Sequence, residues 1–266
     1  MKNFAKRLLV AVALFSATMH SFAHEKKSHG SQESHESHQA HGDKKGVGLV
    51  EKEGRGEKQL QALNVHWFYN WGASTDIKTP IKFVPMIFSL RTLDKSVHSD
   101  EVLGFNEPDN SKQSDISVQQ ALRNWPELTK KSRLIGGPAM AGNPVSGSWL
   151  PEFMKGAPKV DFVTVHWYKG ADAKKFIKDI QAVCSAYGKP VWVTEFAPST
   201  AGNGRKDPDK FTQSEVNQFI QDAVSWMNQE PCVQAFAWHD AKEGTSALFD
   251  KNGSLTETGK TYANAK

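Results

Sequence analysis

Two glutamates follow short apolar runs that are typical of buried strands. Glu107 comes near the end of "VLGFNEP", and Glu195 lies in "VWVTEFA". Proline lacks an N–H and pushes the residue before it out of the helical region, so we expect Glu107 to be extended where its strand ends. Because side chains alternate along a strand, we expect Glu195 to lie on the same side as Val191 and Val193.

A pair of carboxylates at strand ends is suited to acid and base chemistry. If Glu107 and Glu195 converge, one can stay protonated and donate to a leaving oxygen while the other, ionised, attacks a carbon or activates water. Hydrolysis of a glycosidic bond requires such a pair in unlike environments. Each glutamate taken alone is equally compatible with a salt bridge or a helix cap.

Aromatic residues near the same strand ends favour a sugar as the ligand. The C–H faces of sugars stack on indole and phenol rings, while their hydroxyls need polar partners. The candidate rings are Trp71, Trp149, Trp167, Tyr168 and Trp238. Trp71, Trp149 and Trp238 adjoin turn residues and are the preferred cleft residues, although one of the three is expected to be structural.

Other residues of the same types are assigned to packing or orientation. Most tryptophans of a barrel pack in its core, which is the expectation for Trp125, Trp192 and Trp226. His166 is more typical of a hydrogen-bonded rim histidine than of a proton donor. Beside two carboxylates, it is expected to orient one of them.

Short apolar runs that recur along the chain indicate the elements that carry these residues. Polar or helical segments separate them. The eight candidate strands are Gly46–Val50, Val65–Trp71, Phe83–Phe88, Val102–Phe105, Leu134–Gly137, Phe162–Trp167, Val191–Phe196 and Val233–Trp238. Glu107 follows the fourth of these strands, and Glu195 lies near the end of the seventh.

Two of the intervening segments carry clear helix signals. The segment Thr212–Gln229 begins with "TQSE", in which Thr212 and Glu215 form a capping box. A second apolar face runs from Phe176 to Tyr187 and is closed by glycine and proline. The connection between the second and third strands is too short and polar for a full helix.

Strands that alternate with helices predict a parallel sheet, and eight such units predict a closed barrel. We therefore expect an α/β fold of the (β/α)8 TIM-barrel type, compact, with some helices short or missing. An open doubly wound sheet is the alternative. It usually brings a glycine-rich phosphate turn after its first strand, and neither G-x-G-x-x-G nor G-x-x-x-x-G-K-[ST] occurs in the sequence.

The first 23 residues have the pattern of a secretory signal. Basic residues precede an apolar core at Leu8–Phe15, and the small residues Ser21 and Ala23 follow at cleavage spacing. The apolar core falls well short of the roughly 20 residues that a membrane anchor needs. We expect cleavage after Ala23, a secreted or periplasmic mature protein, and no membrane association after cleavage.

A polar linker is predicted at residues 24–45, before a catalytic domain at residues 46–266. The linker has almost no apolar residues and repeats a Ser/His/Glu pattern, so it cannot offset the entropy of ordering itself. Its histidines invite a metal-binding hypothesis, because imidazole is a good ligand for zinc, nickel or copper. Nothing fixes their geometry, so we assign no metal site.

Charge and cysteine content restrict the partners and the compartment. Removal of residues 1–23 takes away three basic groups and lowers the formal net charge from +4 to +1, which does not support binding to nucleic acid. The two cysteines, Cys184 and Cys232, either form a disulfide in an oxidising compartment or remain as buried thiols. We expect a monomer.

Seven segments together resemble the motifs of glycoside hydrolase family 128. They occur in order through nearly the whole globular part of the chain, and their combination is far more specific than any one of them. They are "WFYNWG" (67–72), "FVPMIF" (83–88), "LGFNEPD" (103–109), "WL" (149–150) with Phe153, "VDFVTVHWY" (160–168), "GKPVWVTEFA" (188–197) and "FAWHD" (236–240).

This resemblance implies a barrel of the retaining glycosidase clan that acts on β-1,3-glucan without a metal or an organic cofactor. Glu107 is then the acid/base, Glu195 the nucleophile, and Asn106 the residue that binds the hydroxyl next to the anomeric carbon. His166 and Tyr168 support the nucleophile. A retaining enzyme should hold its two carboxyl groups roughly 5 to 5.5 Å apart, with Glu107 protonated more than Glu195.

The chain also departs from the family pattern. Much of the family has Tyr-Ala-Trp-Phe near the last strand, where this chain has "FAWHD" with His239 and Asp240. A long polar loop, "PSTAGNGRKDPDK", follows Glu195 and either adds a subsite or decorates the rim. Beside the endo-β-1,3-glucanase hypothesis stand a non-catalytic β-glucan-binding protein on the same barrel and a metal-handling exported protein.

Overall fold

The computed structural model describes residues 44–51, 54–198, 210–241 and 243–266. The predicted signal peptide, the linker up to residue 43 and most of the loop after Glu195 lie outside the described residues. In the described part, no helix is long and apolar enough to span a bilayer.

Strands and helices alternate along the described residues. The strands are β1 (Lys45–Gly48), β2 (Trp67–Tyr69), β3 (Lys82–Phe83), β4 (Glu101–Val102), β5 (Leu134–Ile135), β6 (Val163–Trp167), β7 (Val191–Phe196) and β8 (Val233–His239). The α-helices are α1 (Glu57–Ala62), α2 (Val118–Thr129), α3 (Trp149–Lys155), α4 (Ala173–Tyr187), α5 (Gln213–Gln229) and α6 (Glu257–Asn264), with a 3-10 helix at Leu90–Thr92.

The strands pair in parallel and follow one another around a barrel. One sheet has the order β3-β2-β1-β8-β7-β6, and β4 pairs with β5 in a second. Single parallel bridges join the two groups on both sides, from Met86 to Leu103 and from Gly136 to Phe162. The predicted α/β barrel is therefore confirmed, and the open doubly wound alternative is excluded by the pairing of β8 with β1.

An aromatic core fills the inside of the barrel. It comprises Trp67, Tyr69, Val84, Met86, Leu103, Phe162, Trp192, Ala235 and Ala237. Glycines on β1 make room for its largest rings, because a Cβ on Gly46 would lie 2.3 Å from the Trp67 ring and one on Gly48 would lie 3.0 Å from the Tyr69 ring. A second, larger core lies between the outer sides of the strands and the helices.

The two strongest helix predictions are confirmed. Thr212 accepts a hydrogen bond from the backbone N–H of Glu215, and the Glu215 side chain accepts one from the Thr212 N–H, so α5 begins with the predicted capping box. Helix α4 ends at Gly188, whose φ of 57° lies in the left-handed region that glycine adopts without strain. No helix interrupts the segment between β2 and β3, as predicted.

Two lysines at the start of the barrel correct the predicted linker boundary. Lys44 and Lys45 are buried, and Lys45 is the first residue of β1. The Lys44 ammonium donates to the carbonyls of Met227, Asn228 and Glu230 at the end of α5. The Lys45 ammonium donates to the carbonyls of Tyr262, Ala263 and Ala265 at the end of α6. The last turn of a helix has carbonyls without internal partners, which explains why two charged residues are folded into the domain here.

The two cysteines form a disulfide between the end of α4 and the residue before β8. The Cα atoms of Cys184 and Cys232 lie 6.1 Å apart, within the range that a disulfide spans. The first of the two alternatives raised by the sequence is therefore confirmed. The bond fastens an outer helix to the strand layer across 48 residues of sequence.

Candidate active site

Glu107, His166 and Glu195 meet at the carboxyl ends of the strands. Glu107 follows β4, His166 lies in β6, and Glu195 lies in β7. One side-chain oxygen of each glutamate and one ring nitrogen of His166 all lie within 4.8 Å of one another. This end of a parallel barrel is where the loops that carry functional groups emerge.

A β-bulge directs Glu195 into the barrel mouth, and this corrects the predicted face. Val191 and Val193 pack in the outer core, whereas Trp192 lies in the inner core. Between Val193 and Phe196, β7 contains one more residue than either neighbouring strand. The simple alternation would have placed Glu195 with the two valines, but the extra residue reverses it. Bulges are common beside active sites because they re-aim a side chain in this way.

Glu107 is not extended, which is a second correction. Its φ is 44°, in the left-handed region that bulky residues adopt only under constraint. Its N–H donates to the carbonyl of Ala139, and its own carbonyl accepts from the N–H of Asn110. These two bonds hold the backbone in a tight turn directly after the strand. Such strain is typical of residues whose side chain must point in one functional direction.

His166 lies between the two carboxylates. Its Nδ1 is 2.9 Å from Oε1 of Glu107, and its Nε2 is 3.4 Å from Oε1 of Glu195. Its side chain is 1% exposed. The shorter contact is a hydrogen bond and the longer one is not, so His166 is bound more closely to Glu107 than to the predicted partner, Glu195.

Three hydroxyl or indole donors surround the Glu195 carboxylate. The Trp71 Nε1 donates to Oε1 at 2.8 Å, and the Tyr168 hydroxyl donates to Oε2 at 2.5 Å. The Tyr69 hydroxyl lies 3.1 Å from Oε1 and 3.0 Å from the carbonyl of Thr194. Bonds from donors to a carboxylate stabilise its ionised form.

The electrostatic environment keeps Glu195 ionised. Burial raises the pKa of its carboxyl, but the charges of His166 and His239 and the hydrogen bonds from Tyr168 and Trp71 outweigh burial and hold the pKa below the ordinary value. Burial, followed by the charge of Glu195, raises the pKa of Tyr168 and of Tyr69 well above that of a free phenol, so both hydroxyls keep their protons.

The two glutamates in turn shift the pKa of His166. Burial lowers the pKa of His166, but the charge of Glu195, the hydrogen bond to Glu107 and the charge of Glu107 together raise it above the ordinary value. His166 therefore holds its proton more firmly than a free histidine does, while Glu195 is held in its ionised form. The site thus places a proton-holding histidine beside Glu107 and an ionised carboxylate at Glu195.

Two asparagines complete the surroundings of Glu107. Asn110 Nδ2 donates to Oε2 of Glu107 at 3.1 Å. Asn106, directly before it, is buried, and its Nδ2 lies 3.4 Å from Oε1 of Gln113. Its Oδ1 has no hydrogen-bond partner among the described residues, so a hydroxyl donor brought to this oxygen would satisfy it.

The structure brings some of the predicted ligand-binding aromatics to the carboxylates. Trp71 and Tyr168 are half-buried and bonded to Glu195. Trp71 is held with a φ of 61°, again in the left-handed region. Trp149 lies at the start of α3, where its ring stacks on Phe153 and its Nε1 donates to the carbonyl of Ile116; its place in the cleft stays a prediction.

Trp167 and Trp238 require a correction. They are 1% and 0% exposed and pack in the outer core, where both contact Phe219 of α5. Trp167 follows His166 directly, so alternation along β6 turns it to the opposite side. Neither ring presents a surface to a sugar. Trp125, Trp192 and Trp226 pack against neighbouring aromatic rings, as predicted.

Tyr69 and Asn110 are site residues that the sequence prediction did not include. Tyr69 stands two residues before Trp71 in "WFYNWG", so the alternation of a strand could have placed it beside that ring. Asn110 stands three residues after Glu107, a spacing typical of a turn that brings the two side chains together.

Among the described residues, the side chains that lie close enough together to hold a metal ion are those of Glu107, His166 and Glu195.

Comparisons with known proteins agree on one family. The model of the family described as glycosyl hydrolase catalytic core matches residues 46–262. A subgroup I endo-β-1,3-glucanase of glycoside hydrolase family 128 from Amycolatopsis mediterranei, solved with laminaripentaose, is 29% identical, with a TM-score of 0.73 over 85% of this chain and 100% of the other.

Two further relatives differ from this glucanase, the first in its described role and the second in its greater length. A family 128 subgroup VII oligosaccharide-binding protein from Trichoderma gamsii is 26% identical, with a TM-score of 0.69 over 84% of this chain and 93% of the other. The Alkali-sensitive linkage protein 1 of Schizosaccharomyces pombe is 28% identical over 217 residues, which cover 74% of this chain and 40% of that protein. The barrel and its family match together establish that the chain belongs to the glycosyl hydrolase catalytic core family and, by its structural relatives, to glycoside hydrolase family 128.

Proposed function

We propose that this chain is a retaining endo-β-1,3-glucanase. The observation that supports the proposal most directly is the approach of Glu107 and Glu195, whose side-chain oxygens lie within 4.8 Å of each other. Retaining glycosidases hold their carboxyl groups roughly 5 to 5.5 Å apart, whereas inverting enzymes leave room for a water between them. The relative solved with laminaripentaose supports the choice of substrate.

In the first step Glu107 donates its proton to the glycosidic oxygen while Glu195 attacks the anomeric carbon. The bond from that carbon to the leaving sugar breaks, and a bond to a Glu195 oxygen forms. The donors from Trp71, Tyr168 and Tyr69 keep the attacking carboxylate ionised and fix its direction. The hydrogen bond between His166 Nδ1 and Glu107 Oε1 fixes the direction of the Glu107 carboxyl.

In the second step Glu107, now ionised, takes a proton from water. The oxygen of that water attacks the anomeric carbon, the bond to Glu195 breaks, and the product leaves with the configuration of the substrate. Asn110 stays bonded to the other oxygen of Glu107 and keeps its orientation through both steps. Asn106 accepts a hydroxyl of the sugar through its unpartnered oxygen.

The test is turnover of laminarin and the anomeric form of the product. We expect release of reducing sugar, with the β-anomer seen first by proton NMR. Glu195→Gln should abolish release, and Glu107→Gln should reduce it by about 10²- to 10⁴-fold, because general acid catalysis has that magnitude. Initial formation of the α-anomer would overturn the retaining mechanism.

A second candidate, a glucan-binding protein without turnover, is favoured by the subgroup VII relatives. Both the protein from Trichoderma gamsii and one from Cryptococcus neoformans are described as oligosaccharide-binding. Calorimetry with laminarihexaose separates the two candidates. Binding that matches between the wild-type chain and the Glu195→Gln variant, with no product from either, would support the binding protein.

Export of the mature chain to a secreted or periplasmic location is part of the proposal. It is supported by the leader-like pattern of residues 1–23 and is compatible with the disulfide between Cys184 and Cys232. Edman sequencing of the protein recovered from the exporting host should begin at His24. An intact N-terminus at Met1 in the folded protein would contradict it.

A further inference from the structure

His239, the last residue of β8, touches two of the side chains that bind Glu195. Its ring centroid lies 5.4 Å from the Trp71 ring with an interplanar angle of 72°, and 5.6 Å from the Tyr168 ring at 84°. Both contacts are edge-to-face. His239 therefore stands between an indole that donates to one oxygen of Glu195 and a phenol that donates to the other.

His239 also lies close to the Glu195 carboxylate. Its Nδ1 lies 3.8 Å from Oε2 of Glu195, and this nitrogen is buried without a hydrogen-bond partner among the described residues. The side chain is 23% exposed, so it belongs to the rim of the site. At 3.8 Å the contact is electrostatic rather than a hydrogen bond, and such attraction is strong where water is excluded.

The titratable groups around His239 come from several elements. Glu195 faces it from β7, and Tyr168 faces it from the segment after β6. Asp240 follows it on the chain and is neutralised by a buried ion pair at 2.8 Å with Arg55. A charged His239 therefore acts on both neighbouring carboxyls, on Glu195 and on Asp240, and of the two only Asp240 is paired with an arginine.

We propose that His239 is a positioning residue for Glu195. The His239 ring spaces the Trp71 and Tyr168 donors, and the charged form of His239 stabilises the ionised carboxylate. The inference rests on the proposed function and deepens it. Burial raises the pKa of Glu195, and among the causes that lower it the charge of His239 comes second, after that of His166.

Two variants separate the ring from the charge. His239→Phe keeps an aromatic ring and removes the charge, and His239→Lys keeps a charge and removes the ring. We expect His239→Phe to move the acidic limb of kcat/KM on laminarin to higher pH, with a greater loss at about pH 4.5 than at about pH 7. We expect His239→Lys to leave the acidic limb near its wild-type position and to lower kcat at all pH values.

A second measurement does not need turnover. Titration of the Glu195 carboxyl carbon by ¹³C NMR, assigned with Glu195→Gln, should give a higher pKa in His239→Phe than in the wild-type chain. The same value in both would overturn the charge part of the inference, and an unchanged kcat in His239→Lys would overturn the spacing part. If no chain turns over laminarin but the NMR shift is present, the proposed function fails and the action of His239 on Glu195 stands.

The matched control is His98→Phe. His98 is exposed in the segment before β4, at the end of the barrel opposite the carboxylates. Its substitution should change neither the Glu195 titration nor the acidic limb. An equal shift in His98→Phe would mean that the effect is a general consequence of removing a histidine, and it would overturn the assignment to His239.

Discussion

The Tyr168 hydroxyl donates a hydrogen bond of 2.5 Å to Oε2 of Glu195. This bond joins the end of β6 to the carboxylate of β7, on the opposite oxygen from the one that Trp71 binds. It is one of the contacts that hold the pKa of Glu195 below its ordinary value against the effect of burial.

Tyr168→Phe should shift the pH dependence of activity. Glu195 acts in its ionised form, so activity is present above its pKa and is lost as the pH falls through it. Removal of a donor raises that pKa, and the acidic limb of kcat/KM should move to higher pH. The measurement is kcat/KM on laminarin across the acidic range.

Tyr187→Phe is the control for this prediction. The Tyr187 hydroxyl also donates a hydrogen bond, but to the carbonyl of Pro144 and not to a carboxylate. Its removal should leave the acidic limb in place. An acidic limb that is identical in Tyr168→Phe and the wild type would show that the bond does not control the ionisation of Glu195.

Gly46→Ala should destabilise the barrel. The added methyl would lie 2.3 Å from the Trp67 ring inside the aromatic core, so ring or backbone must move. Overpacking of this kind costs about 1–3 kcal/mol in the free energy of unfolding. Urea denaturation measures the loss, and Gly56→Ala, whose methyl meets nothing within 4 Å, is the control.

Gly48→Ala should affect activity more than stability. The new methyl would lie 3.0 Å from the Tyr69 ring and hydroxyl, a contact that a small ring shift relieves. The shift would disturb the hydroxyl that approaches Glu195, so kcat should fall while the unfolding midpoint changes less than in Gly46→Ala. The prediction fails if the two variants lose stability equally and Gly48→Ala keeps full activity.

Reduction of the disulfide should lower the stability of the folded chain. A bond between Cys184 and Cys232 restricts the unfolded state across 48 residues, which corresponds to about 4 kcal/mol in the chain-entropy model. Urea unfolding of the wild-type chain should shift to lower midpoint with a reductant. The Cys184→Ser/Cys232→Ser double variant should not respond to the reductant, and a wild-type midpoint that also stays constant would contradict the prediction.

Lys44→Met should destabilise the end of α5. The substitution leaves three carbonyls in the last turn without the donor that now satisfies them. A buried group left without a partner costs about 1–3 kcal/mol, which a thermal or urea transition resolves. Lys58→Met, on the exposed side of α1, is the matched control and should change stability by less than about 0.5 kcal/mol.

The fold and the order of its strands were accessible from the sequence because both depend on local patterns. Each candidate strand was an apolar run with turn residues beside it, and each strong helix had an apolar face and a cap. Thr212 and Glu215 formed the predicted capping box because the three-residue spacing brings their side chains and backbone together in any helix. The disulfide was one of two open alternatives, which only the 6.1 Å separation of the Cα atoms decided.

The directions of the site residues were decided by tertiary structure. The bulge in β7 depends on the register with β6 and β8, and it turns Glu195 away from the side that alternation predicts. The left-handed backbone of Glu107 depends on a hydrogen bond to Ala139, which is distant in sequence. Trp167 and Trp238 were predicted at the cleft because they stand at strand ends, but α5 covers them.

The sequence by itself therefore determined the two candidate carboxylates, Glu107 and Glu195, and the end of the barrel at which they lie. It did so because residue type and strand position are local properties of the chain. Only the tertiary structure decided that His166 bonds to Glu107 more closely than to Glu195, and that Tyr69, Asn110 and His239 join the site. Side-chain direction depends on the register of neighbouring strands, and no single segment of the chain encodes that register.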